Sequence, residues 1–246
     1  MSNTYAVSGR RFSFNGRSST EFGMIASGEG VHNAPERDLK RISIAGRNGD
    51  LIQDNGRYKN ITISYPVAIF KDFARNADAA KTWLMADSNY HQLSDGYYPD
   101  YFRLAVFSGP IDFDMQLQNR IGQTTLKFDC KPQRFLYSGL ETIPFNAPEE
   151  LRNDYFPALP LITVHGTGDG TVAVGDTVVR IIGQTDTIVL DCDLLNAYHE
   201  TVEGVRENRN SCISAPVFPT LLPGVNTIGW TGGVERLEII PRWWTL

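Results

Sequence analysis

The sequence predicts a mainly β protein in two parts. An α+β N-terminal domain, built as a β-sandwich with one helix and a projecting hairpin, precedes a second all-β sandwich. Three observations carry this. Apolar side chains recur with period two in most ordered stretches, Asn-Gly pairs punctuate them, and only one stretch repeats at helical spacing.

Residues 5–7 and 12–14 read as short opening strands, with Asn15-Gly16 able to supply the positive φ of a tight hairpin. In RISIAGRNGDLIQDNGRY, Ile42 and Ile44 lead into Asn48-Gly49, and Leu51 and Ile52 lead out towards Asn55-Gly56. The tip is polar and carries Arg47, so this hairpin over 42–58 reads as an arm more than as core. Next, Ile61, Ile63, Tyr65, Val67 and Ile69 alternate with Thr62, Ser64, Pro66 and Ala68, placing five large side chains on one sheet face. Pro66 has no N–H to give a ladder, which predicts an edge strand or a bulge there.

Phe73, Ala77, Ala80 and Leu84 recur at helical spacing, so the spacing predicts a helix over 72–86 with Asp72 as its N-cap. Further strands are expected at 104–107, at 111–117 with Asp112 and Asp114 on the wet face, and at Leu126, Phe128 and Cys130. Beyond Cys130 five prolines (132, 144, 148, 157 and 160) interrupt any period, and the domain boundary is placed there, giving 1–136 and 137–246. Short strands follow near 161–164, 172–174, 178–182, 188–190, 227–230 and 237–240, the pattern of a second sandwich.

The 246 residues are 41% hydrophobic and 21% charged, which excludes wholesale disorder. A net charge of −5 argues against binding nucleic acid through its phosphates. No apolar run approaches the ~18 residues of a membrane helix, and the opening residues lack a signal-peptide core. A reducing compartment is therefore expected, in which the sequon Asn60-Ile61-Thr62 carries no weight. Cys130, Cys192 and Cys212 are too scattered for a disulfide framework, and Cys130 reads as a small buried apolar residue.

Motifs for chemistry fail one by one. The histidines His32, His91, His165 and His199 form no close pair, and His199-Glu200 lacks the second histidine of a zinc-protease helix. Cys192, His199 and Cys212 do not have zinc-knuckle spacing. Gly166, Gly168 and Gly170 in HGTGDGT precede a strand rather than a helix, so they read as a hairpin loop and not a phosphate cradle. Asp112 and Asp114 read as the solvated side of a strand. Trp243 and Trp244 are adjacent, so on a strand they face opposite ways; they are packing residues or an aromatic platform for a sugar. No enzymatic activity, cofactor or metal is expected.

The segments RRFSFNGRSSTEFGM, PERDLKRISIAGRNGDLIQDNGRYKNITISYPVAI, the helix with Trp83-Leu84, YHQLSDGYYPDYFRLAVF and LKFDCKPQRFLYSG resemble, in order, the N-terminal domain of siphophage distal tail proteins. FPALPLITVHGTGDGTVAVGD and PGVNTIGWTGGVERLEIIPRWWTL resemble that family's C-terminal domain. The resemblance implies a hexameric ring at the distal end of a tail tube, a belt closed by the N-terminal domain, and a galectin-like C-terminal sandwich pointing outward. It implies a virion component assembled in the bacterial host cytoplasm, with further copies of itself, the tail tube protein, tail-tip protein and a receptor-binding protein as partners. On this view Ile42, Ile44, Leu51 and Ile52 supply the apolar part of a ring interface, and Arg47, Asn48, Asp50, Asp54 and Arg57 its polar register. The alternatives are a carbohydrate-binding module and a cell-wall hydrolase, the latter resting on Asp112, Asp114, His199 and Glu200.

Overall fold

The computed structural model describes residues 11–27, 33–116, 121–215 and 217–246. They form two compact units, Met1–Arg134 with Leu246, and Phe135–Thr245.

The first unit contains Phe12–Phe14 (β1), Arg17–Ser18 (β2), Met24–Ala26 (β3), Arg37–Ile42 (β4), Leu51–Tyr58 (β5), Ile61–Ile69 (β6), the helix Phe73–Leu84 (α1), His91–Asp95 (β7), Tyr101–Val106 (β8), Asp114–Gln116 (β9) and Ile121–Cys130 (β10). Its antiparallel sheet runs β2-β1-β7-β8-β10-β6-β3, with β9 also on β10. In a flat sheet β1 and β6 would lie roughly 19 Å apart, four strand spacings. Yet the Phe12 and Tyr65 rings are 4.9 Å apart and Phe12 and Phe128 are 5.6 Å apart. The sheet therefore curls over on itself, and its concave face becomes the core. The five alternating side chains of β6 and Leu126, Phe128 and Cys130 of β10 are buried there. Tyr65 ends in a 2.6 Å hydrogen bond to Asp95, whose other oxygen accepts the N–H groups of Tyr97 and Tyr98.

Helix α1 closes the open side. Ala77, Ala80, Trp83 and Leu84 face inward, and the small alanines let the helix approach closely. Trp83 stacks on Phe22 at 4.4 Å and satisfies its indole N–H on the Phe14 carbonyl at 3.1 Å. Burial of so large a side chain with its polar atom paired gives the helix its anchor.

The second unit contains Arg134–Leu136 (β11), Ile143–Phe145 (β12), Glu149–Asn153 (β13), Leu161–Val174 (β14), Thr177–Gln184 (β15), Ile188–Asp191 (β16), Asn196–Glu200 (β17), Arg206–Asn208 (β18), Ile213–Ser214 (β19), Gly224–Ile240 (β20) and Trp244–Thr245 (β21). Strand β14 runs along its whole length beside residues 228–240 of β20. Their outer halves, Leu161–Val164 and Leu237–Ile240, pair onward with β16 and β12; their inner halves pair with β15 and β13. Two layers thus share one pair of strands, which change layer at a bulged corner. Ile162, Val164, Leu237 and Ile239 from one layer and Val172, Val174, Val179 and Ile228 from the other are buried.

That corner corrects one expectation. HGTGDGT is not a hairpin loop: it is the middle of β14, and the short strands expected on either side are one. A Cβ on Gly166 would stand 2.1 Å from the Gly233 carbonyl oxygen, and one on Gly233 1.7 Å from that of Thr167. Glycine is present there because two backbones cross with no room for a side chain.

Three smaller expectations also change. Pro66 lies inside a central strand without a bulge, opposite Thr125. The N–H and C=O of a strand residue point to the same side, and the Pro66 carbonyl accepts from Ser27 at 2.8 Å. The missing donor therefore faces the end of β3, where the ladder stops. Asp72 does not cap α1 with its side chain; it sits at φ 47, and its backbone carbonyl receives the Asn76 N–H. Strand β9 begins only at Asp114, with Asp112 in the preceding coil and Leu117 outside the described residues. Residues 5–7 also lie outside them.

Candidate functional site

Strands β4 and β5 form a ribbon hydrogen-bonded to no other strand among the described residues. Its register pairs Ile42 with Leu51, Arg41 with Ile52, Lys40 with Gln53 and Leu39 with Asp54. Directly opposed residues share a face, so Ile42 and Leu51 lie on one side and Ile52 on the other. The connection is the eight-residue loop 43–50, held by the Arg47 N–H on the Ile44 carbonyl at 3.2 Å. Asn48-Gly49 is thus not a two-residue turn, although Gly49 has φ 80. Asn55-Gly56 is not a turn either. Between the Leu39–Asp54 and Arg37–Tyr58 pairs β5 holds extra residues, and Gly56, at φ 70, forms the bulge. Of the three Asn-Gly pairs only Asn15-Gly16, with φ 48 and 73, closes a tight hairpin.

Cross-strand charge holds the ribbon. Arg37 donates to Asp54 at 2.8 Å and to the Tyr58 hydroxyl at 2.9 Å, with its guanidinium 5.0 Å from the centre of the Tyr58 ring. Arg57 donates to Asp38 at 2.7 Å, and Lys59 to Glu36 at 3.2 Å. The Gly56 N–H and then Arg37 hold the Asp54 carboxyl below its ordinary range, and Arg57 does the same for Asp38. Charges at these positions, of opposite sign on facing strands, are the sequence signal by which the pairs could have been found.

The nine residues expected at an interface all belong to this ribbon. Ile42 is half-buried, and Ile44, Arg47, Asn48, Asp50, Leu51, Ile52, Asp54 and Arg57 are exposed. Ile52 leaves 60% of its surface in solvent and Leu51 45%. Asp54 and Arg57 already have partners within the ribbon, which leaves Arg47, Asn48 and Asp50 at the tip as polar groups open to a neighbour. An isolated two-stranded hairpin is marginal in water, so a ribbon with apolar residues on both faces gains from being covered.

The tryptophans sit elsewhere. Trp243 is buried against the Gly139 backbone, where an added Cβ would lie 2.4 Å from the Trp243 nitrogen. Trp244 stacks on Phe156 at 4.8 Å and donates its indole N–H to the Pro157 carbonyl at 2.9 Å. Beside that stack lies an open cleft of about 280 Å³ lined by Asp154, Tyr155, Phe156, Pro157, Pro223 and Thr245.

Among the described residues no group of three His, Cys, Asp or Glu side chains is placed to hold a metal ion. His199 points Nδ1 at the Thr187 carbonyl, 2.8 Å away. Asp112 and Asp114 are exposed. No helix among the described residues is long and apolar enough to cross a membrane.

No protein-family model matches this sequence, and no curated protein matches it. Solved structures do. A chain from the phage p2 baseplate in its activated conformation is similar with a TM-score of 0.50 at 8% identity, over 94% of this chain and 97% of that one. The Dit protein of phage SPP1, described as a paradigm of the hub adsorption apparatus in phages infecting Gram-positive bacteria, is similar with a TM-score of 0.72 at 13% identity. That likeness spans 96% of this chain and 99% of the other. Over 96% of its length the chain therefore has the fold of the SPP1 Dit protein.

Proposed function

We propose that this protein is a structural hub of a phage tail: a virion component that forms a ring, hexameric on the resemblance in its sequence, at the distal end of a siphophage tail tube. The observation that carries this is the end-to-end likeness of fold to SPP1 Dit, which includes both units in order. The exposed β4–β5 ribbon supports it physically. A closed ring needs a heterologous contact repeated around an axis, and a ribbon of about 27 Å can reach a neighbouring copy. On this reading Ile44, Leu51 and Ile52 are covered by the next copy, the tip charges set the register, and the tube, tail-tip and receptor-binding proteins dock on the finished ring. Its role is architectural and uses no catalytic group or cofactor.

Light scattering behind size exclusion, followed by negative-stain imaging, tests it. A hexamer, or two stacked hexamers, is expected; deleting 46–50 should leave a folded monomer that no longer closes. A variant lacking 46–50 that still forms rings at low concentration would remove the ribbon from the interface.

The cleft beside the Phe156–Trp244 stack favours one second reading, a carbohydrate-binding module, since aromatic faces with a nearby carboxylate suit sugar rings. A glycan array separates the two: a hub without lectin activity binds nothing specifically.

A further inference from the structure

The three Asn-Gly pairs have the same local sequence chemistry and three different structures. Asn-Gly is the dipeptide most prone to cyclise, because glycine has no side chain to obstruct its own nitrogen. For the reaction, the Asn side-chain carbonyl carbon must swing onto that nitrogen, which requires a free N–H and freedom to rotate ψ.

At Asn55-Gly56 both are denied. The Gly56 N–H is held by the Asp54 carboxylate at 2.8 Å, where losing its proton is disfavoured, and both residues lie within β5. At Asn15-Gly16 the backbone is locked. The flanking Phe14 and Arg17 are paired, and the Asn15 N–H donates to the Gln92 carbonyl at 3.1 Å. Asn48-Gly49 has neither restraint. All three pairs are exposed, but this one lies inside the eight-residue loop 43–50, where its neighbours Arg47 and Asp50 are also outside any strand. The Gly49 N–H makes no hydrogen bond to another described residue.

We infer that Asn48 is a site of spontaneous covalent modification, singled out from the three pairs by its loop. Water or hydroxide removes the Gly49 amide proton, and the nitrogen attacks Cγ of Asn48. A C–N bond forms, the tetrahedral intermediate expels ammonia, and a five-membered succinimide results. Water then opens either carbonyl of the ring to give aspartate or isoaspartate. The net change is gain of one water and loss of one ammonia, with no change in oxidation state. The product places a new carboxylate two residues from Asp50, so the tip passes from balanced charge, Arg47 against Asp50, to net negative. Isoaspartate also lengthens the backbone of the loop by one carbon. The inference does not rest on the ribbon being an assembly arm, but a neighbouring copy covering the tip would shield the loop, so the rates are compared in the fraction that light scattering shows to be monomeric.

The test is incubation of the purified full chain at neutral and mildly alkaline pH, with peptide mapping by mass spectrometry and fragmentation that distinguishes isoaspartate. In the native protein Asn48 should convert several-fold faster than Asn15 or Asn55, faster still in alkali, and Asn48→Ser should remove that phase. In denaturant the three sites should converge to similar rates. Equal native rates, or Asn15 or Asn55 leading, would overturn the inference. So would a lead of Asn48 that persists undiminished in denaturant, because sequence alone would then account for it.

Discussion

The β4–β5 ribbon and the β14–β20 pair are both long, glycine-bearing, bulged antiparallel ribbons, yet they use glycine for opposite reasons. In β4–β5, Gly46, Gly49 and Gly56 have positive φ and empty space around them. There glycine relieves the backbone. In β14–β20, Gly166, Gly170, Gly232 and Gly233 are pressed against the facing main chain. There glycine makes room. One ribbon leaves its side chains in solvent and can be altered at little cost to folding, whereas the other is where two layers of a domain are joined.

Gly233→Ala should break the second ribbon. The methyl group would meet the Thr167 carbonyl, and backbone has no cheap way to yield, so a loss of about 3 kcal/mol is expected in urea denaturation. An unchanged midpoint would mean that the corner flexes. The same unit has a second fastening at Asp191, which is almost fully buried, receives Arg242 at 2.7 and 3.2 Å, and caps the N–H groups of Asp193 and Leu194. Burial alone would raise its carboxyl, but Arg242 and those N–H groups outweigh it and leave it below the ordinary range. A carboxyl depressed in the folded state stabilises fully above its unfolded value, near 4, and less as pH falls through the folded value. Asp191→Asn should therefore cost about 2 kcal/mol near neutrality, and the gap to the wild type should narrow in acid. Stability curves against pH for both proteins check this.

Substitutions in the exposed ribbon should do less. Gly49→Ala meets no atom and has only its left-handed backbone to contend with, about 1–2 kcal/mol. Leu51→Ser with Ile52→Ser should leave the melting temperature of the monomeric fraction unchanged, because about half of each side chain is already in water there, while lowering the oligomer content measured by light scattering. A clear fall in melting temperature would show that the ribbon packs on its own unit, and the comparison would fail.

The same contrast explains what could be seen in the sequence. Alternation in β6 and β10, and helical spacing in α1, are legible because half of each element is buried and burial selects residue type at a fixed period. The Phe12–Tyr65 closure has no such signal, since it joins residues 53 positions apart. HGTGDGT misleads because a glycine that makes room looks the same in sequence as one that turns the chain. Pro66 misleads because its tolerance depends on where β3, a distant strand, happens to end. In the candidate site, the exposed polar arm was legible from composition; its internal ion pairs left only a pattern of opposite charges, because which of them meet depends on a register shifted by the Gly56 bulge.

The cysteines have a practical consequence. Burial pushes the thiols of Cys130 and Cys192 up to about 12, so neither offers thiolate to a reagent in the native protein, while Cys212 is only half-buried, in a short turn after β18. The unmodified chain thus carries a single addressable thiol. One maleimide per protomer should couple under native conditions and three in denaturant, and a gold or fluorescent tag at Cys212 would mark the second unit of every copy, without mutagenesis, in whatever particle the protein builds.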